Sequence, residues 1–483
     1  MGQLGEFDAV VVGAGIVGAA AFRELCRLKA TVLLLDRLHD VGGQASRANT
    51  AILHGGYDPR PGSTMAAMNT RGTRLWFDWA PALGIDVERC GSLVLAFNPE
   101  DLQELESLLQ RGRANGVRVQ MLEREEVLRR EPAVNPEVQA ALYSPFSGII
   151  DPFQALIALV GNGIRNGGRL RLDCPVGGIE RGGDRIRLRT EQGEISTGLL
   201  INAAGLEAGH LMQLAGDSAL SIHPRRGQYL VLDKNAGPAV RHVLFPAPGK
   251  QGKGIVVTRT THGNVMIGPT AENLTEADDA TTREGLAAAL AGAKRLVPFP
   301  YERSTITQFA GLRSVGTGDF TLQPSTNMPG VLHLAGIKSP GLSAAPAIGQ
   351  WVREWAADAA GLSPKDPFDP TFAFPPRLAE ISWQERNRRI EENPAYGRLV
   401  CRCEQVSEQE VVEAIRMQPG ARDLDGIKRR VRPTAGRCQG GFCTPRLLEI
   451  LCREGKLAPE QVSKFGPGSE LVVGDNRGIV PCK

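Results

Sequence analysis

No stretch of this sequence is both long enough and apolar enough to cross a bilayer. The longest apolar run, Ala9–Phe22, has 14 residues and is broken by glycines, against roughly 20 for a spanning helix. It follows an acidic, glycine-containing leader with no basic segment, so a secretory signal is not expected. The net charge is only +3, and no basic stripe is interleaved with aromatics, which argues against nucleic acid as a partner. Internal repeats and low-complexity tracts are also missing. Cysteine is scarce at first, with only Cys26, Cys90 and Cys174 in the first 400 residues. These absences lead to the expectation of a cytoplasmic protein, at most peripheral on the inner face of a membrane.

What is present is a chain of 483 residues with 42% hydrophobic side chains, enough for a large core and two to four domains. "FDAVVV" reads as a strand, and Gly13, Gly15 and Gly18 follow it as G-x-G-x-x-G opening a helix. "TVLLLD" is a second strand ending in Asp36. Gly13 permits a tight turn, Gly15 lets a pyrophosphate approach the backbone at the helix N-terminus, and Asp36 can accept from a ribose hydroxyl. Phe22 stands where such helices carry a small residue, so unusual helix–sheet spacing is expected there. No second glycine motif of this kind occurs, so NAD is not expected on the chain.

Further along, residues 46–63 read as a loop, 168–205 as short strands with glycine turns, 223–270 as antiparallel strands, and 331–356 as strand, loop and helix. Prolines 364, 367, 370, 375 and 376 mark an extended linker. The remaining six cysteines, Cys401, Cys403, Cys438, Cys443, Cys452 and Cys482, fall in the last 83 residues. In a reducing compartment this clustering points to metal or redox chemistry. Cys401 and Cys403 are two apart and face one side of an extended segment, and glycines surround Cys438 and Cys443. The spacing alone leaves zinc and iron–sulfur open, although four-thiolate zinc sites favour paired C-x2-C knuckles. Lys428, Arg429, Arg430 and Arg432 are either cluster neighbours or a solvated basic face. Cys452 lies on the helix "RLLEILCRE" and is expected to be packed, and Cys482 to be free.

The ordered series "FDAVVVGAGIVGAAAFREL", "SRANTAILHGGYD", "LINAAG", "FAGLRSVG" and "LAGIKSPGLSAAPAIG" resembles the D-amino-acid-oxidase/glycerol-3-phosphate-dehydrogenase family of FAD enzymes. "VCRCEQVSEQEVVEAI" with "GRCQGGFC" resembles the bacterioferritin-associated-ferredoxin-like [2Fe–2S] domain. That domain occurs at the C-terminus of large subunits of the anaerobic glycerol-3-phosphate dehydrogenase type. The resemblance implies an α/β plus α+β fold. A doubly wound FAD-binding domain (1–85, 150–215 and 310–360) would carry an inserted antiparallel-sheet substrate domain (86–149 and 216–309). A proline-rich linker (361–395), an iron–sulfur domain (396–465) and a tail (466–483) would follow.

It further implies that Gly13, Gly15, Gly18, Asp36 and Arg37 hold the ADP half of a noncovalent FAD. Ser46, Asn49, Thr50, Val176, Ala204 and Gly205 would lie along the cofactor, and Gly311, Gly336, Gly341, Leu342 and Ser343 would wrap the flavin. Cys401, Cys403, Cys438 and Cys443 would hold a [2Fe–2S] cluster. Taking a hydride from an alcohol or amine also requires a proton acceptor and an anion clamp. The candidates are His54, Tyr57 and Arg313 for catalysis, with Arg226, Arg259, Lys338 and Arg313 for substrate. Surface ion pairs are the alternative for Arg226 and Arg259, and packing for Tyr57.

The expected activity is an FAD-dependent dehydrogenase of a small anionic hydroxy compound, sn-glycerol 3-phosphate foremost. Electrons would pass through the cluster to a partner protein in a hetero-oligomeric complex. The rivals are a dehydrogenase of 2-hydroxyglutarate or of an amine such as hydroxyproline, a non-catalytic electron-transfer subunit, and an oxidase using oxygen.

Overall fold

The strand Gln3–Val12 (β1), which ends in three valines, leads through Gly13, at φ +109°, into the helix Ile16–Leu25 (α1) and then the wholly buried strand Val32–Leu35 (β2). β2 runs parallel to β1, with Ala9 opposite Val32 and Val12 opposite Leu35. This is the expected βαβ unit. The computed structural model describes residues 3–249 and 254–474, so Cys482 lies outside the described residues. The chain forms two units, one of residues up to Arg37 with Gly42–Phe372, the other of Leu38–Val41 with the chain from Ala373 onward.

Two large sheets build the first unit, with a small three-stranded one of Ile52–Leu53, Gly148–Ile150 and Val87–Glu88 beside them. In the eight-stranded sheet, Gly193–Asn202 lies parallel to β1 on one side and to Val331–Ala335 on the other. Its outer members are the antiparallel pair Val176–Gly182 and Arg185–Thr190, the strand Arg169–Arg171 beside β2, and Thr321–Pro324. α1 packs against the helices Pro152–Arg165 and Gly341–Ala360. Phe22, fully buried, finds its space on this layer. A Cβ at Gly163 or at Gly168 would lie 2.4 Å from its ring. Two distant glycines therefore accommodate the large side chain.

The nine-stranded sheet is dominated by the long antiparallel pair His223–Leu232 and Thr305–Val315. Val243–Pro246 pairs antiparallel with Val256–Arg259 but parallel with Ser92–Ala96, so this sheet is mixed rather than purely antiparallel. Its core, with Leu93, Leu230, Leu244, Val257 and Tyr301, is covered partly by the helix Arg283–Leu296.

The segment read as a linker behaves differently in its two halves. Pro364 bridges Leu28, Asn162 and Asn166 hold the carbonyl of Asp369, and Phe372 N–H donates to Ala82. Residues 361–372 are therefore bound to the first unit along their length. Trp383–Glu392 is a helix, capped by Ser382 and held by Glu385–Arg388 and Glu385–Arg389 pairs. The prolines stop before it, which is why helix can form there, within the 361–395 span read as a proline-rich linker.

In the second unit a short hairpin, Leu399–Cys401 with Val406–Ser407, leads into the helix Glu408–Arg416. Ser407 and Glu410 form a reciprocal capping box at its start. The helices Leu424–Val431 and Thr444–Gly455 close a core of Val411, Ile427, Leu447 and Ile450, with Cys452 packed against it. Arg429 and Arg430 are neither solvated nor turned to the thiols. Both are buried on Asp40, at 2.6 Å and 3.0 Å, and hold its carboxyl below the usual range despite its desolvation. Among the described residues no helix is long and apolar enough to cross a membrane.

Candidate active site and thiol cradle

A cavity of about 1070 Å³ opens in the first unit, walled by loops of the eight-stranded sheet and by residues of the nine-stranded one. Two helices start on it without a side-chain cap. α1 begins at Gly15, and Gly341–Ala360 presents Gly341, Leu342 and Ser343. Uncapped N-terminal amides suit the phosphates and polar ring edge of a dinucleotide. The glycine turn is tightly built: a Cβ at Gly18 would lie 1.9 Å from the Gly13 carbonyl, and one at Gly13 would lie 2.4 Å from that of Ala203. Asp36 accepts from Ala14 N–H at 2.6 Å, and Ser46 Oγ accepts from Ile16 N–H at 2.9 Å. The residues present fit a dinucleotide cofactor.

Of the residues expected along that cofactor, Gly15, Ser46, Asn49, Thr50, Gly205, Gly336, Gly341, Leu342 and Ser343 line the cavity. Gly311 lies behind the wall, where a Cβ would meet the Ala48 carbonyl at 2.1 Å. Ala204 is flanked by the lining residues Ala203 and Gly205 without being one. Val176 packs on the core behind the eight-stranded sheet. Arg37 is exposed and paired with Glu207 at 3.3 Å, so the structure does not bring its guanidinium to the cavity.

His54, Arg313 and Lys338 share the cavity wall. The His54 ring lies 5.8 Å from that of Phe245, with Nε2 3.3 Å from Ser339 Oγ. Its backbone is pinned at both ends, N–H to Ser343 Oγ at 2.9 Å and C=O from Thr73 Oγ1 at 2.8 Å. Arg313 donates through Nε and Nη2 to the carbonyls of Arg225, Arg226 and Thr270, the last at 2.5 Å. Among the described residues no carboxylate pairs with it, and burial lowers its pKa.

Two expected substrate residues and one expected catalytic residue are placed elsewhere. Arg226, 4% exposed, is neutralised by Glu272 at 2.9 Å and Asp278 at 2.7 Å. Its neighbour Arg225, opposite Arg313 in the strand pair, is the one on the cavity. Strand alternation sends adjacent side chains to opposite faces, and the sequence "PRRGQY" does not say which arginine faces in. Arg259 is ion-paired to Glu88 and does not line the cavity. Tyr57 packs with Ile52, Val94 and Leu105, its phenol bonded to Ser92 and its pKa raised by burial, so it is a core residue. Phe245, Tyr229 and Ser339 also line the cavity and were not among the expected site residues, although Ser339 lies within "LAGIKSPGLSAAPAIG" and Tyr229 ends "PRRGQY".

In the second unit the thiols meet in two pairs, Cys401 with Cys443 and Cys403 with Cys438. Among the described residues no three His, Cys, Asp or Glu side chains gather around one metal-ion point, whereas a two-iron core takes two thiolates at each iron. Main-chain amides turn toward the sulfurs: Glu404, Thr434 and Cys403 toward Cys401, and Gly440 and Phe442 toward Cys438. The hydrogen bond from Cys443, helped by these amides, brings the Cys401 thiol down to about 6. Left-handed residues Gln405, Thr434, Gln439 and Gly440 wrap the loops, and a Cβ at Gly436 would lie 2.3 Å from that of Cys403. Amide donors converging on paired thiolates fit an iron–sulfur core.

Residues 8–355 match the family described as DAO, FAD dependent oxidoreductase, and residues 399–453 match the BFD-like [2Fe-2S] binding domain. The chain belongs to this family of FAD-dependent oxidoreductases and carries that second domain C-terminally. It is 38% identical over 478 residues to a glycerol 3-phosphate dehydrogenase of Caloramator mitchellensis, covering 98% of this chain and 100% of the relative. A glycerol 3-phosphate oxidase of Mycoplasma pneumoniae is 33% identical over 71% of this chain and 92% of its own length. The solved structure of L-alpha-glycerophosphate oxidase from that organism, with FAD bound, superposes with a TM-score of 0.73 at 32% identity. It covers 77% of this chain and 99% of that one.

Proposed function

We propose that this oxidoreductase converts sn-glycerol 3-phosphate to dihydroxyacetone phosphate and delivers the electrons singly to an acceptor protein. The observation that carries the substrate reading is Arg313. A desolvated guanidinium whose partners are carbonyls keeps its full charge for an anion. With Nε and Nη2 committed to the main chain, Nη1 has no partner among the described residues and is available to an anion, and Lys338 shares the wall. Near full-length similarity to a glycerol 3-phosphate dehydrogenase supports phosphate as that anion.

His54 takes the hydroxyl proton of the carbinol, its ring oriented by Ser339 and by the pinned backbone. Phe245 and Tyr229 give this part of the wall an apolar surface. When bound, FAD supplies the two-electron acceptor for the carbinol hydride and the [2Fe–2S] cluster a one-electron exit. Gly13, Gly15, Gly18, Ser46, Asn49, Thr50, Gly205, Gly336 and Gly341–Ser343 hold the first group, and Cys401, Cys403, Cys438 and Cys443 the second. We assign residues 1–85, 150–215 and 310–360 to cofactor binding and 86–149 with 216–309 to substrate binding. Membership of the two large sheets supports this division, apart from Thr305–Val315, while the three-stranded sheet of Ile52–Leu53, Gly148–Ile150 and Val87–Glu88 joins segments from both sides of it.

The test is anaerobic addition of glycerol 3-phosphate to the purified holoprotein. The flavin absorbance is expected to bleach, and dihydroxyacetone phosphate to form. Bleaching by 2-hydroxyglutarate or hydroxyproline instead would overturn the substrate. Bleaching only by a reduced protein would overturn the enzyme itself.

A further inference from the structure

The thiol cradle reaches the surface at one end. Cys438 is exposed while Cys401 and Cys443 are buried. Beside it Phe442 is 58% exposed, and the Arg402 guanidinium stacks 4.4 Å from its ring centroid. Five of the six exposed large hydrophobic side chains among the described residues belong to the second unit: Trp383, Leu399, Phe442, Leu471 and Val473. An exposed aromatic with arginine upon it joins two residue types enriched at protein interfaces.

The local charge is predominantly positive. The thiol-bearing segments 398–407 and 432–446 contain five arginines, Arg398, Arg402, Arg432, Arg437 and Arg446, and one carboxylate, Glu404. Arg398 and Arg446 share the buried Glu408, at 2.8 Å and 2.9 Å, and Arg432 takes Glu404. Arg402 has no carboxylate partner among the described residues, and Arg437 is exposed beside Cys438.

We propose that this face, centred on Phe442 and Arg402 with Cys438 at its edge, docks an acidic one-electron carrier protein. The inference rests on the electron-exit part of the proposed function and adds the place of exit and the charge of the partner. Oxidation of one substrate molecule releases two electrons and two protons. Two carrier molecules take one electron each, and the protons go to solvent. Charge complementarity speeds encounter, and the apolar pair sets the lifetime of the complex.

The test measures binding of the oxidised holoprotein, without substrate, to two haem proteins of opposite charge, acidic cytochrome b5 and basic cytochrome c. Cytochrome b5 is expected to bind, with affinity falling at least about tenfold on raising salt through the physiological range. Arg402→Glu is expected to weaken it about tenfold and Phe442→Ala by a similar factor, while Arg402→Lys stays within about threefold. The visible spectrum of each variant reports whether the cluster is intact, and Arg402→Gln provides a milder second variant.

Equal binding of cytochrome c, or an intact Arg402→Glu protein that binds cytochrome b5 like the parent, would overturn the proposal. So would a dimer of the free protein dissolved by Arg402→Glu. Flotation on phosphatidylglycerol vesicles that is lost in Arg402→Glu would also overturn it, by assigning the face to a lipid surface. None of these readouts uses glycerol 3-phosphate, so failure of the substrate reading, seen as an unbleached flavin, remains separate.

Discussion

Replacing Arg313 with Met isolates the anion clamp from the rest of the cavity. The side chains are similar in length, and Met fills the apolar stem's volume without the fork. The structure sets the magnitude. Nε and Nη2 are spent on the carbonyls of Arg225, Arg226 and Thr270, so these bonds position the group. The Nη1 amino group can make two charge-assisted hydrogen bonds to a phosphate, each worth about 1.5–3 kcal/mol. Losing about 3 kcal/mol lowers kcat/KM about 10²-fold. Arg313→Lys keeps a charge but cannot hold three carbonyls and face the substrate as well, so it recovers only part of the loss. The assay is dye-linked oxidation of glycerol 3-phosphate, with flavin content measured in the same samples. A fully flavinylated Arg313→Met protein with kcat/KM within about threefold of the parent would refute the reasoning.

Three further outcomes follow from the geometry. Gly18→Ala puts a methyl 1.9 Å from the Gly13 carbonyl; the turn must open, and the purified protein is expected to carry less than about half the parent's flavin per chain. Cys401→Ser removes one thiolate of a pair, and iron and the broad visible absorption are expected to be lost while flavin bleaching by substrate persists, as iron analysis and anaerobic spectra would report. Glu408 accepts from Arg398, Arg446 and Arg453, and these bonds, Arg398 first, bring its carboxyl from 4.5 to about 2. A carboxylate depressed in the folded state adds stability above its unfolded pKa and loses it as pH falls through the folded value. The melting-temperature gap between the parent and Glu408→Gln is therefore widest above about pH 5 and closes on acidification; a gap that widens would contradict the assignment.

The features legible in the chain were those whose chemistry is local. The β1–α1–β2 unit follows from a β-branched run, three glycines and a terminal acid within thirty residues. The thiol cluster showed in the crowding of cysteines. The ordered motif series carried the family. Residues chosen by charge alone fared worse. Arg226 and Arg259 have the same chemistry as Arg313, and their partners Glu272, Asp278 and Glu88 are known only once distant strands and loops are assembled.

By itself the sequence determined a dinucleotide site, because that depends on residue types at a short, rigid spacing, while the flavin, the cluster and the family were legible only through the resemblance of an ordered motif series. Tertiary structure alone decided which groups meet. Phe22 fits on α1 because Gly163 and Gly168 make room for it. Cys401 meets Cys443, 42 positions away, rather than its near neighbour Cys403. Of two adjacent arginines, Arg225 faces the cavity and Arg226 turns to carboxylates, since a strand alternates its faces at every residue and only packing sets which face is inside.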